Sequence, residues 1–338
     1  MLSAETILST PVTAASSVFP GDQDQIKHEF RRLAALWHPD HCSDAKASDV
    51  LSHLVSLKNH LLHRSPMKAS VEKIITTEKR VLRIRPLSVR QTDQAEIILG
   101  QTTFAQLFSG QQRDLADWEA GAIGRFRYAD SDMQAQMQRF LPRIQMDERT
   151  EDGGRLLVCN RGGDDILLSD LLAKFGPLPA VHAAWLGSGL LNIAAWLEWS
   201  GICHGDIGPD AIVIDPTTHS VRLMSGWCFS CPFGKRPEVL PYRTLNILPR
   251  LASSGEVVDA YVDLHLIRQT LREALGDPAG SRLQSGLVPE PIAHWINLPP
   301  EGPAIADYTI WQRQLRRAWG PSKFITLDID ANHIYGVG

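Results

Sequence analysis

Three short runs in this chain carry side chains with chemistry to offer. His204-Gly205-Asp206-Ile207-Gly208-Pro209-Asp210 sets one imidazole and two carboxylates in one short run. His38-Pro39-Asp40 places an imidazole, a rigid turn and a carboxylate after a stretch bearing Lys27, Arg31 and Arg32, a surface suited to an acidic partner. Trp227-Cys228-Phe229-Ser230-Cys231 spaces two thiols as a redox or metal-binding pair would. Each run also has a plain reading. Pro at a helix end followed by an Asp that caps a turn is a common structural solution. Asp206 can serve as a carboxylate accepting hydrogen bonds within its own loop, with His204 a structural histidine. Zinc would need two further ligands where no second Cys pair exists, and Pro232, Phe233 and Gly234 break any helix that Cys228 and Cys231 might open. Two half-buried thiols in a loop are therefore expected there.

These runs need elements to hold them. From Asp24 to Trp37 the apolar residues Ile26, Phe30, Leu33 and Leu36 or Trp37 recur at three- and four-residue steps, which predicts an amphipathic helix presenting Lys27, Arg31 and Arg32 outward. A polar loop, His41 to Ala47, leads to a second helical pattern in Val50, Leu51, Leu54, Leu57 and Leu61, with Ser48 placed to cap it. A shorter helix, Ala4 to Leu8, precedes both. Beyond the Pro66-containing linker, strand-like runs occupy Lys73 to Ile84, Ala95 to Leu99, Thr102 to Phe108 and Arg155 to Cys159, with a helix carrying Leu115, Trp118, Glu119, Ala122 and Phe126 between the last two. Ala180 to Trp199 is long, apolar and free of Pro, which predicts a buried helix ending near Gly201. A hairpin follows from Ala211 to Asp215 and Val221 to Met224, and helices span Val258 to Leu275 and Tyr308 to Trp319. Trp185, Trp196, Trp199 and Trp227 sit at core-like spacings.

At 338 residues with 43% hydrophobic content, the chain can form two or three compact units, and a net charge of −4 with dispersed Lys and Arg gives no nucleic-acid footprint. Met1 to Phe19 lacks the charged and apolar regions of a secretory signal, and no run reaches the ~20 apolar residues of a membrane span. Five scattered cysteines point to reduced thiols and a cytoplasmic protein.

The basic helix closing on His38-Pro39-Asp40 and followed by a Leu-rich helix resembles a J-domain over roughly Ser3 to His63. That resemblance implies a DnaK-type chaperone partner, with His38, Pro39 and Asp40 as triggering residues and Lys27, Arg31 and Arg32 as the docking face. The segment from Ser70 to Phe324 resembles a protein kinase. Asp206 falls where that family has its catalytic carboxylate, after His204, and Asp263 in Val262-Asp263-Leu264-His265 resembles the buried Asp that supports the catalytic loop. Glu119 resembles the helix glutamate that pairs the phosphate-binding Lys. Other positions depart from the pattern. Gln106 stands for that Lys, Ala211 for a metal-binding Asn, and Ser225 for the metal-binding Asp. Leu87 to Leu99 has no Gly, with Val89-Arg90-Gln91-Thr92-Asp93 at the expected loop tip. Ser offers magnesium one weak neutral oxygen in place of a carboxylate.

The expected fold class is α+β, a small N-terminal J-like helical hairpin followed by a bilobal kinase-like fold with a strand-rich small lobe and a helical large lobe. The expected divisions are 1–65 (J-like), 66–72 (linker), 73–162 (small lobe), 163–324 (large lobe) and 325–338 (a tail, disordered or a docking peptide). The expected function is a co-chaperone adaptor: a J-like arm recruiting a DnaK-type chaperone, with a degraded kinase-like module binding a client. The alternatives are an atypical serine/threonine kinase, in which Asp210 or Asp215 supplies metal sites, and a purely structural scaffold. ATP and magnesium are expected only if the kinase-like site works, and no nucleic-acid or membrane partner is expected.

Overall fold

In a computed structural model of the chain, residues 3–10, 15, 17–21, 23–37, 42, 44, 46–62, 72–248, 257–281, 283, 286, 288–321 and 323–336 are described. The amphipathic pattern near the N-terminus folds as α2 (Gln23–Leu36) packed on α3 (Ala47–Leu62), with α1 (Ala4–Ser9) beside them. Ser3 starts α1 by accepting the Thr6 N–H at 3.2 Å. Ile7, Phe19, Ile26, Phe30 and Leu33 bury against Val50, Leu54 and Leu57. Asp44 accepts the Lys46 N–H at 2.8 Å and α3 begins at Ala47, so Ser48, expected as the cap, lies inside the helix. Arg31 and Arg32 are exposed, and Arg32 forks onto Glu29 at 2.8 and 2.5 Å. His38, Pro39, Asp40, the Lys27 side chain and most of the linker lie outside the described residues.

Residues 1–65 with 277–282 form one compact unit, and residues 66–276 with 283–338 form the other. In the second, β1 (Lys73–Thr76) and β2 (Val81–Ile84) pair as a separate ribbon, where the sequence suggested one longer run. A five-stranded antiparallel sheet follows in the order β3 (Ser88–Gln91), β4 (Glu96–Leu99), β5 (Thr103–Phe108), β7 (Arg155–Asn160), β6 (Ile144–Arg149). Alternation along β5 sends Ala105 to a cluster with Ile75, Ile98 and Leu156, and Phe104 and Phe108 to the opposite side. Gln106 shares that second side, toward α4 (Arg113–Gly124). Helix α5 (Ser131–Met137) starts on the Asp130 side chain, which accepts the Met133 N–H at 2.8 Å.

A connection at 161–165 leads into the helical part: β8 (Ile166–Leu167), α6 (Leu168–Phe175), α7 (Ala180–Ser200), β9 (Ile202–Cys203), β10 (Ile212–Asp215), β11 (Ser220–Leu223), β12 (Cys231–Pro232), α8 (Tyr242–Ile247), α9 (Ala260–Ala274), α10 (Glu290–Asn297), α11 (Ala304–Trp319) and α12 (Ala331–Tyr335). Strands β8 and β11 flank β10, and β9 pairs with β12. Helix α7 is long and apolar enough to cross a membrane, but 61% of its apolar window is buried, and it packs against α9 and α11 as a core helix. Gly201 ends it at φ 70°, the left-handed cap that Gly takes most readily. Arg268 of α9 and Asp307 of α11 form a fully buried bidentate pair at 2.8 Å, with Trp295 donating to the same carboxylate at 3.1 Å. One core joins Ile97, Phe104 and Cys159 of the sheet to Leu190, Ile212 and Met224 below. Trp196 and Trp227 belong to that core, whereas Trp199 is 48% exposed.

Candidate active site in the kinase-type cleft

The His204–Asp210 loop is held from below. Asp263, in the first turn of α9, accepts the His204 N–H at 2.7 Å and the Gly205 N–H at 2.9 Å. Burial drives its carboxyl up to about 6, against the pull of those two donors. Thr244 donates to the Gly205 carbonyl at 2.5 Å, and Thr270 donates to that of Ile207 at 3.1 Å.

His204 is fully buried, edge-on to Trp227 at 4.6 Å. Its Nε2 lies 3.1 Å from the Ser225 carbonyl, and its Nδ1 accepts the Asp206 N–H at 3.2 Å. Those partners require the neutral Nε2–H tautomer. Burial pushes the imidazole down to about 3, so it has no acid or base role near neutrality. Asp206 is half-buried. Desolvation moves its carboxyl well above the usual range; Arg243 opposes this, while Asp93, Asp210 and Glu119 reinforce it. Gly226, at φ 88°, admits this crowding, because a Cβ there would stand 2.9 Å from Asp206 Oδ2 and 3.0 Å from His204 Cε1.

The positions at which the kinase resemblance expects phosphate and metal ligands carry other chemistry. Gln106 Nε2 donates to Glu119 Oε1 at 2.9 Å, and the Cys228 N–H donates to Glu119 Oε2 at 2.7 Å. Glu119 is fully buried, and desolvation raises it to about 7 despite both bonds. Gln106 Oε1 has no hydrogen-bond partner among the described residues. Ala211 is buried and offers no ligand. Ser225 is fully buried, with Oγ turned to the Asp210 carbonyl at 3.5 Å. Asp215, considered as a metal ligand, instead caps the hairpin turn, accepting the Thr217 N–H at 2.8 Å and the Thr218 hydroxyl at 2.7 Å.

Two sequence expectations change here. Val89, Arg90 and Gln91 are strand, not loop tip, and the turn is Thr92–Ala95, closed by Thr92 N–H to the Ala95 carbonyl at 2.9 Å. Cys228 and Cys231 are buried rather than half-buried, and burial pushes both thiols up, away from thiolate chemistry.

Sequence reasoning missed the residues that tie the sheet to α6 and brace the Asp206 loop. Arg90 of β3 forms a buried ion pair with Asp170 of α6. Tyr335 Oη accepts the Leu167 N–H at 3.0 Å and donates to Asp170 Oδ2 at 3.2 Å. Arg243 packs beside Gly208, where a Cβ would stand 2.7 Å from its Nε, and it binds Glu273 at 2.9 and 3.0 Å. A lone Arg in a polar run and a Tyr near the end of the chain carry no local signal of such partners.

No protein-family model matches the chain, and no curated protein matches it in sequence. Among solved structures, that of vaccinia related kinase 3 is similar, with a TM-score of 0.51 and 14% identity over 74% of this chain and 95% of that one. The body has a protein-kinase-like fold. At that identity the likeness speaks for the fold alone.

The residues of the cleft do not fit magnesium-nucleotide as that fold ordinarily holds it. Where the kinase resemblance expects metal and phosphate ligands stand Ala211, Ser225 and Gln106, and the Arg90–Asp170 bridge ties the sheet to α6.

Proposed function

We propose that the kinase-like body works by binding and not by phosphoryl transfer, and that the N-terminal helical unit is a J-like arm recruiting a DnaK-type chaperone to whatever client the body holds. The observation that carries the first part is the Gln106–Glu119–Cys228 network. It satisfies the helix glutamate with an amide and a backbone N–H, where the kinase pattern pairs that glutamate with a phosphate-binding Lys. Metal chemistry loses its usual donors through Ala211 and Ser225. The arm is supported by the packed α2–α3 pair and the exposed Arg31 and Arg32 beside it.

A phosphotransfer assay with magnesium or manganese tests the body. No turnover is expected, and turnover that disappears in Asp206→Asn would refute the binding-only reading. The arm is tested by the ATPase rate of a DnaK-type chaperone with and without this protein. Stimulation is expected and should vanish in His38→Gln; no stimulation would leave the arm a scaffold.

A second reading, an atypical serine/threonine kinase, is favoured by Asp263 holding the backbone of the Asp206 loop and by Glu119 bound to the turn at Cys228, together with the fold likeness. A thermal-shift titration separates the two, since a nucleotide that binds only the folded state raises its apparent stability. A magnesium-dependent rise supports the kinase.

A further inference from the structure

We propose that the chain's own C-terminal segment, residues 324–336, is a strap that seals the kinase-type cleft through Tyr335, so that the cleft receives a ligand only when the strap leaves. The inference rests on reading this groove as a kinase-type cleft and not on whether it turns over nucleotide.

The strap is anchored at both ends. Phe324 stacks on His219 at 4.2 Å and 17°, and His219 stacks on Trp185 at 4.7 Å and 5°. Between the ends, Leu327, Ile329, Ala331 and Ile334 bury in the main core. Asp330 starts α12 by accepting the His333 N–H at 2.8 Å, and Lys174 of α6 donates to the Ile334 carbonyl at 2.6 Å.

This path delivers Tyr335, 7% exposed, to Asp170. One carboxylate then serves two masters: Oδ1 holds Arg90 from the sheet, and Oδ2 accepts the phenol of the strap. Burial keeps that phenol protonated and able to donate. Its oxygen also takes the N–H of Leu167, at the start of the helical part. Sheet, helix α6 and strap are thus joined through a single buried cluster, and loosening the strap loosens the tie across the cleft.

The cluster also holds unspent donors. Arg90 Nη2 and Arg161 Nη2, on residues 5% and 4% exposed, have no hydrogen-bond partner among the described residues. A ligand rich in anionic and hydroxyl oxygens meets those donors once Tyr335 is displaced.

The test is hydrogen exchange on the full chain, wild type against Tyr335→Phe, with ADP as probe in the presence and absence of magnesium. Tyr335→Phe keeps the ring and removes only the hydroxyl, and Lys174→Met weakens the strap from the other side. Exchange at residues 165–175 and at 88–99 is expected to rise at least tenfold in Tyr335→Phe and less in Lys174→Met, with α9 unchanged. ADP should slow the variant's exchange at 88–99 again and slow the wild type's far less. A rise confined to 324–336, no rise at all, an opened variant that ADP does not slow, or equal ADP affinity in wild type and variant each overturns the strap. The binding-only reading fails on a different result, Asp206-dependent phosphotransfer, so the two failures are distinguishable.

Discussion

Asp263 and Asp206 are neighbouring buried or half-buried carboxylates with opposite consequences for stability. Asp263 satisfies two backbone N–H groups, so Asp263→Asn sets an amide N–H against one of them and leaves a buried donor unpaired. A loss of roughly 2–3 kcal/mol is expected in urea unfolding. Asp206 suffers from desolvation, and Asp206→Asn should leave stability unchanged or raise it in the same experiment. A comparable loss in both variants would contradict this division of roles.

At the scale of elements, Glu119 couples α4 to β5 and to the turn at Cys228, and its protonation sets how well. Its folded pKa, about 7, lies above the unfolded value, so its contribution is fully present below about pH 4.5 and is lost as pH rises through 7. The added proton has a use, since it can be donated to a reoriented Gln106 Oε1, which has no hydrogen-bond partner among the described residues. His204 acts with the opposite sign. Its folded pKa of about 3 lies below the unfolded 6.5, so its contribution is present above 6.5 and is lost as pH falls toward 3. Because the two trends offset each other in the wild type, Glu119 is isolated by difference. Between pH 5 and pH 8, Glu119→Gln should gain roughly 2 kcal/mol relative to wild type in parallel chemical denaturations. Gln106→Lys should flatten the same dependence by holding Glu119 ionised at lower pH. A pH-independent difference for Glu119→Gln would show that the site is solvated.

At the scale of the molecule, the buried Arg90–Asp170 pair joins the sheet to the helical part, and buried pairs punish single removal more than joint replacement. Asp170→Leu strands Arg90 and Tyr335 together and should cost roughly 3 kcal/mol, whereas the double variant Arg90→Met, Asp170→Leu should cost less than the single one. Additive losses measured by denaturant unfolding would remove the pair from this role.

The sequence by itself determined the local elements and the loop that Asp206 occupies. Apolar periodicity marked α2 and α3, and a long apolar run without Pro marked α7, because these signals come from neighbours along the chain. It also put Gln106, Ala211 and Ser225 where a resemblance to kinases expects Lys, Asn and Asp. Short elements such as α5, α8 and α12 escaped, since one or two turns carry too little periodicity. What only the tertiary structure decided is how distant residues meet. Arg90, Asp170 and Tyr335 come from three regions, with Tyr335 joined to Asp170 across 165 positions of sequence. Gln106, Glu119 and Cys228 come from a strand, a helix and a turn. Whether a buried polar group is a site or a strut depends on the partner it finds at 3 Å, and that partner is set by packing, which local sequence does not encode.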